Sequence, residues 1–273
     1  MKTDLDLVKQ MEYVLERGLK LALCILTEKR GSGPREPGAK MVVVEDGQTF
    51  GTIGGGGFER ALLKEALRAI KEGKPRKVIF SLTKEEKPDA IKTGLICGGE
   101  VEVFIDVMEP KPKLIIIGAG HVAKPLATFA THLGFDIVVV DDNEKLASKE
   151  QFPMAKEIIA GEYKEILDRV NVSQRDFVVI VHGEPEHDYL ALEKMIRKKP
   201  FYIGLMGSKT KVNKLLERLK KEGVKDEELK LLHAPIGLDI GAQTPEEIAI
   251  SILAEIIAEK REPKILRFKS SQG

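Results

Sequence analysis

The sequence predicts an α/β protein in two parts, an α+β domain followed by a Rossmann-type doubly wound parallel sheet, and three observations carry that prediction. Leu114-Ile-Ile-Ile117 runs into Gly118-Ala-Gly120, then a helix-length stretch, then Ile137 to Asp141, which reads as a strand, a tight glycine turn, a helix and a second strand. From Lys113 onward, apolar strand-like runs alternate with helical stretches, the pattern of a parallel sheet buried on both faces. Pro110-Lys111-Pro112 interrupts the chain just before this alternation begins. Because proline fixes φ, removes a donor and biases its predecessor to an extended conformation, the expected domains are 1–109 and 113–273.

In the first domain a helix is expected near Leu5 to Arg17, a strand over Leu21 to Thr27, a Gly/Pro loop from Gly31 to Gly38 and a strand over Lys40 to Glu45. A further strand enters Gly54 to Gly57, and a periodic helix follows over Phe58 to Glu72, with Leu62, Leu63, Ala66, Leu67 and Ile70 on one side. Strands are then expected over Lys77 to Leu82 and Val101 to Met108, separated by a second glycine cluster around Cys97. In the second domain the strands are Lys113 to Ile117, Asp136 to Val140, Glu157 to Ala160, Asp176 to Val181 and Phe201 to Leu205. A last helix is signalled by Thr244 as N-cap, Pro245 at its first position, Glu246 and Glu247 in its first turn and an apolar body from Ile248 to Ile257. No internal repeat is visible.

At 273 residues, with 42% hydrophobic and 32% charged residues, the chain has the makeup of an ordinary globular protein able to bury two cores. A formal net charge of +1, with Lys and Glu interspersed, gives no footprint for nucleic acid. Two cysteines, no signal-peptide pattern and no apolar run of bilayer length predict a cytoplasmic protein that does not enter the membrane.

Gly118 would permit the tight turn, Gly120 would let backbone approach a pyrophosphate, and Ala123 takes the third small position, so that helix N–H groups face an anion. His121 follows directly and would either contact that ligand or fold against the sheet top. Asp141 ends the next strand about 20 residues on, where an acid usually meets ribose hydroxyls. In an open sheet the ligand crevice lies beyond the strands' carboxyl ends, so the loops His182 to Asp188, Met206 to Lys211 and His233 to Gly241 are expected to line one pocket. Gly207-Ser208-Lys209 either presents donors, a hydroxyl and a cation to an anion or is an N-cap followed by solvated lysines. His182 and His187 are candidate ligands or acid/base groups, but their loop spacing matches no strong metal signature. In the first domain, Gly31 to Gly38 with Arg35, and the run containing Gly55, Gly56 and Gly57, would form a second anion cradle; the alternative is a pair of tight turns. Glu59 would sit in the first turn of the following helix. Cys97 is the candidate reactive thiol, and Cys24, inside an apolar strand, is core.

Taken together, Gly31-Ser-Gly-Pro-Arg35, the glycine turn ending in Glu59, Cys97-Gly-Gly99, Gly118-Ala-Gly-His-Val-Ala123, Tyr202-Ile-Gly-Leu-Met-Gly-Ser208 and His233-Ala-Pro-Ile-Gly-Leu-Asp-Ile-Gly-Ala242 resemble the XdhC/CoxI-type xanthine dehydrogenase accessory factors over almost the whole chain. The resemblance implies an N-terminal XdhC/CoxI domain and a C-terminal Rossmann domain that bind molybdenum cofactor, as molybdopterin or its dinucleotide form, and help insert it in sulfurated form into a xanthine dehydrogenase-like molybdenum hydroxylase. A cysteine desulfurase and a second copy of the chain are further expected partners. The cofactor contacts it nominates are Arg35, Gly55, Gly56, Gly57, Glu59, Cys97, Gly118, Gly120, His121, Asp141, Gly207, Ser208, Lys209 and Asp239, with Cys97 meeting molybdenum or its sulfur. Two departures stand out: Gly57 takes a place the family commonly gives to cysteine, and Val181 precedes His182 where the family has threonine.

Two other functions compete. An NAD(P)-dependent oxidoreductase would use Gly118, Gly120 and Asp141 for its cofactor and His182 or His233 as proton donor. A nucleotide-responsive regulator would bind nucleotide without pterin.

Overall fold

The computed structural model describes residues 4–83, 90–94 and 98–261, and the chain divides into two compact units, 1–111 and 112–273. The first unit contains helix α1 (Asp4–Glu16), strands β1 (Leu21–Arg30), β2 (Lys40–Val44) and β3 (Thr49–Gly51), helix α2 (Gly56–Glu72), and strands β4 (Arg76–Ser81), β5 (Ala90–Lys92) and β6 (Glu100–Met108). They form one sheet in the order β3-β2-β1-β6-β4-β5. Alternation decides its faces: Ala22, Cys24 and Leu26 of β1 pack with Phe58, Leu62, Ala66 and Ala69 of α2, whereas Leu21, Val42 and Val44 turn to Val14 of α1. Strand β1 runs further than its apolar stretch predicts, because Glu28 to Arg30 pair with Glu100 to Glu102 beyond a register shift at Leu26. Strand β5 carries no strong sequence signal; it exists by parallel pairing to β4.

The second unit runs β7 (Lys113–Ile117), α3 (Ala123–His132), β8 (Asp136–Asp141), β9 (Glu157–Ala160), α4 (Tyr163–Arg169), β10 (Phe177–Ile180), α5 (Pro185–Arg197), β11 (Tyr202–Leu205), α6 (Lys209–Lys221), α7 (Asp226–Leu229), β12 (Leu232–His233) and α8 (Pro245–Arg261). Its sheet is parallel throughout, in the order β12-β11-β10-β7-β8-β9, the Rossmann order with its reversal between β7 and β10. Ile115, Ile117, Val178 and Ile180 face α4, α5 and α6, and Leu114, Ile116, Phe177 and Val179 face α3 and α8. Burial on both faces explains the unbroken apolar runs of these strands.

Candidate functional site

In the first unit the glycine loops close on one another. A Cβ on Gly54 would lie 2.3 Å from Pro34, one on Gly57 2.1 Å from the Thr93 carbonyl oxygen, and one on Gly99 2.2 Å from the Ser32 carbonyl oxygen. Neighbouring atoms therefore occupy the space of these side chains, and Pro34, Ser32, Gly54, Gly57, Thr93 and Gly99 pack as one cluster. Glu59 does not face outward. Its carboxylate accepts the Thr52 hydroxyl at 2.6 Å and the Ile53 N–H at 3.1 Å. Burial alone would raise this carboxyl, but hydrogen bonds from Thr52 and from the Gly55, Ile53 and Gly54 N–H groups hold it below its ordinary value. Glu59 clamps the entry to α2 and engages the Gly54 and Gly55 N–H groups. Arg35 is exposed. Cys97 lies outside the described residues. Cys24 is fully buried, and burial pushes its thiol up to about 12, so it is no sulfur donor at neutral pH.

In the second unit, Gly118 has φ +106°, and a Cβ there would meet the His182 backbone nitrogen at 2.4 Å. Glycine at this position thus lets the β7 and β10 loops touch at the reversal point. Asp141 is 4% exposed, and its two carboxylate oxygens accept the Ala119 N–H at 2.6 Å and the Asn143 N–H at 2.8 Å. The side chain ties the glycine turn to the loop after β8. Beyond Gly120, where a Cβ would meet nothing within 4 Å, opens a cavity of about 730 Å³. Gly120, His121, Lys124, Gln151, Phe152 and Glu246 are among its lining residues.

Two of the three loops expected to share one pocket meet directly: Lys211 donates to the Gly183 carbonyl at 3.1 Å and pairs with Asp188. Asp142, exposed beside buried Asp141, meets two histidines: its Oδ1 lies 3.3 Å from His182 Nε2 and its Oδ2 3.2 Å from His187 Nε2. The two imidazoles stack at 4.5 Å and 2°, and Tyr163 packs edge-on against both while its hydroxyl donates to the His187 carbonyl at 3.0 Å. Burial, with the Asp188 and Asp141 carboxylates next, pushes that phenol well above its ordinary range. Burial would raise the Asp142 carboxyl, but the His182 hydrogen bond and the two imidazoles hold it low. Fully buried Asp188 supports the loop, accepting the Gly183 N–H at 3.3 Å and pairing with Lys211.

Ser208 is the N-cap of α6, its hydroxyl accepting the Lys211 N–H at 3.3 Å, and Lys209 beside it is exposed. This is the N-cap arrangement, one of the two readings the sequence offers for this turn. His233 stacks on Tyr202 at 4.5 Å and its Nδ1 lies 3.3 Å from Glu255 Oε1. Glu255 Oε2 accepts the Tyr202 hydroxyl and the Gly237 N–H, both at 2.7 Å, and Ser251 donates to the Leu238 carbonyl at 2.6 Å. The long motif from His233 thus packs the loop on α8 and leaves Asp239 exposed.

Residues 114–256 match the XdhC Rossmann domain, and residues 14–81 match the XdhC and CoxI family. The chain belongs to the XdhC family. This XdhC chain is 39% identical over 246 residues to the uncharacterized protein YqeB of Escherichia coli (strain K12), covering 90% of itself and 44% of that protein. It is 33% identical over 159 residues to a probable xanthine dehydrogenase subunit of Bacillus subtilis (strain 168), covering 58% of itself and 46% of that protein. It therefore spans less than half the length of these two relatives. Identity to the molybdenum cofactor insertion chaperone PaoD of Escherichia coli (strain K12) is 23% over 288 residues, covering 89% of this chain and 84% of PaoD. A crystal structure of a xanthine dehydrogenase from Bacillus halodurans superposes with a TM-score of 0.53 at 26% identity, covering 94% of this chain and 96% of the other.

Sequence reasoning did not single out Asp142, Tyr163, Lys124 or Glu255. For Asp142 a signal existed: in Asp141-Asp142 at a strand end, alternation sends consecutive side chains to opposite sides, so one acid turns in and the next turns out. Lys124 was legible as the cation in the turn after Gly120. Tyr163 and Glu255 are distant in sequence from the histidines they meet, and no local pattern announces them.

Proposed function

We propose that this XdhC protein binds molybdenum cofactor as cargo and delivers it to a molybdenum hydroxylase of the xanthine dehydrogenase kind. The observation that carries the reading is the alignment with a molybdenum cofactor insertion chaperone along most of both chains. The cavity beside Gly120 fits such cargo. Its volume of about 730 Å³ lies within the usual range for cofactor sites, and backbone at a helix start, His121 and Lys124 suit the phosphate of a pterin or the pyrophosphate of its dinucleotide form. In the finer reading the cargo is carried in sulfurated form, Cys97 holds the sulfur that a cysteine desulfurase supplies, and exposed Arg35 adds an anion contact.

The test is anaerobic incubation of the protein with molybdenum cofactor released from a donor enzyme, followed by removal of free ligand and measurement of retained pterin fluorescence and molybdenum, beside an NAD(H) titration. Stoichiometric pterin retention that falls at least tenfold in a His121→Ala, Lys124→Ala double variant is the expected result. Tight NAD(H) binding without pterin would replace the proposal with the dinucleotide reading, which the strand order favours and the commitment of Asp141 to backbone disfavours. Arg35→Ala should weaken retention with little change in thermal unfolding, and Cys97→Ser should lower sulfur retention alone; unchanged binding or unchanged sulfur would remove the respective residue from the mechanism.

A further inference from the structure

We propose that Asp142, His182 and His187 form a binding site for a divalent transition-metal ion at the carboxyl edge of the Rossmann sheet, with Glu184 orienting His187. The chain has five histidines, and two of them stand ring against ring with their Nε2 atoms on the two oxygens of one carboxylate. One ligand atom from each residue lies within 4.8 Å of the others. A tetrahedral ion with bonds of about 2.0–2.1 Å sets its ligand atoms roughly 3.3 Å apart, and the separations from Asp142 to His182 and His187 are 3.3 and 3.2 Å. The donor set of two imidazole nitrogens and one carboxylate oxygen suits zinc and its neighbours in the first transition row, whereas calcium and magnesium prefer oxygen alone.

The surroundings argue for the same chemistry. Glu184 Oε2 lies 3.0 Å from His187 Nδ1, in contact although not aligned as a hydrogen bond, and the exposed Glu184 side chain needs only to rotate to make one. A carboxylate on the far ring nitrogen is the usual device that fixes the tautomer of a metal-ligating histidine and leaves Nε2 for the ion. His182 Nδ1 is buried and has no hydrogen-bond partner among the described residues. The loop is also held rigidly, by Asp188 to Gly183 N–H and Lys211, by Tyr163 to the His187 carbonyl, and by the contact of His182 with Gly118. The side chains of His182 and His187 are 14% and 22% exposed and that of Asp142 38%. The cluster therefore opens on its carboxylate side, where Asp142, Asn143, Glu144 and Lys145 line an open depression of about 540 Å³. Three protein ligands and an open side describe a site that keeps a position for an exogenous ligand.

The experiment uses the full chain, stripped with chelator and titrated with Co²⁺ followed by visible absorption, then with Zn²⁺ in competition. One equivalent of Co²⁺ should give the intense bands of a four- or five-coordinate site, and Zn²⁺ should displace it. His182→Ala and His187→Ala should each weaken Co²⁺ binding at least 100-fold, and Glu184→Gln about tenfold. Asp142→Asn, at an exposed position, should lose affinity while keeping the thermal midpoint of the metal-free protein, which separates ligation from folding. Absence of a stoichiometric Co²⁺ spectrum in the unaltered protein, or unchanged affinity in folded Asp142→Asn, would overturn the proposal. Neither result depends on whether pterin is retained.

Discussion

Asp141 and Asp142 are chain neighbours with opposite duties, one tied to backbone and the other facing two histidines. Removing the buried carboxylate in Asp141→Ala leaves the Ala119 and Asn143 N–H groups without their acceptor, and an orphaned buried donor costs about 1–3 kcal/mol. Urea unfolding should register that loss, while Asp142→Asn should sit within about 0.5 kcal/mol of the parent, as surface substitutions do. A second test concerns His233 and Glu255. The Glu255 hydrogen bond and charge raise the His233 pKa from its ordinary 6.5. Burial would raise Glu255, but hydrogen bonds from His233, Tyr202 and the Gly237 N–H lower it from its ordinary 4.5. A raised histidine contributes stability that is complete below its unfolded pKa and lost as pH rises through its folded one; a lowered carboxyl contributes above its unfolded pKa and loses that as pH falls. The pair therefore contributes most between 4.5 and 6.5. The unfolding free-energy difference between the parent and His233→Gln should be larger at about pH 5.5 than at about pH 9, and a difference that grows toward high pH would contradict the assignment.

The glycine turns matter most to the elements they start. Helix α2 begins where Gly54, Gly55 and Gly56 hold φ of 138°, 82° and 67°, and Gly57 brings the Thr93 carbonyl into the space of a side chain. Gly57→Ala should therefore cost about 1–3 kcal/mol through forced displacement of backbone, read by denaturant unfolding. A cysteine at Gly57 would meet the same obstruction, so this chain's loop packing is matched to its own departure from the family pattern. At α6, Ser208→Ala removes the acceptor for the Lys211 N–H and should cost about 0.5–2 kcal/mol. Element positions in the Rossmann unit were legible because apolar runs bounded by glycine and charge leave little choice of register. Strand β5 and the extension of β1 were not, since both depend on pairing with a neighbour remote in sequence.

Across the whole molecule, each unit owns a core: Phe58 and Phe80 meet edge to face at 5.2 Å in the first, and the second packs helices on both faces of a parallel sheet. Residues 112–273 produced alone should thus unfold cooperatively, and Phe58→Ala in the full chain should destabilise the first unit by about 3–5 kcal/mol. Calorimetry of both proteins checks this. Among the described residues no helix is long and apolar enough to cross a membrane.

The Rossmann order of elements, the glycine turn after β7 and membership of the family were all written in the amino-acid sequence, because they rest on local periodicity and on wording carried in short segments. The same reading nominated His182, His187, His233 and Gly118. Which groups these residues meet was decided by folding: Gly118 touches His182, Asp141 accepts backbone N–H groups, His233 joins Glu255, and Asp142 closes on two histidines. Each of those outcomes is a meeting of groups from different strand ends and helices, and a chain read one window at a time carries no record of which loops the sheet order will bring together.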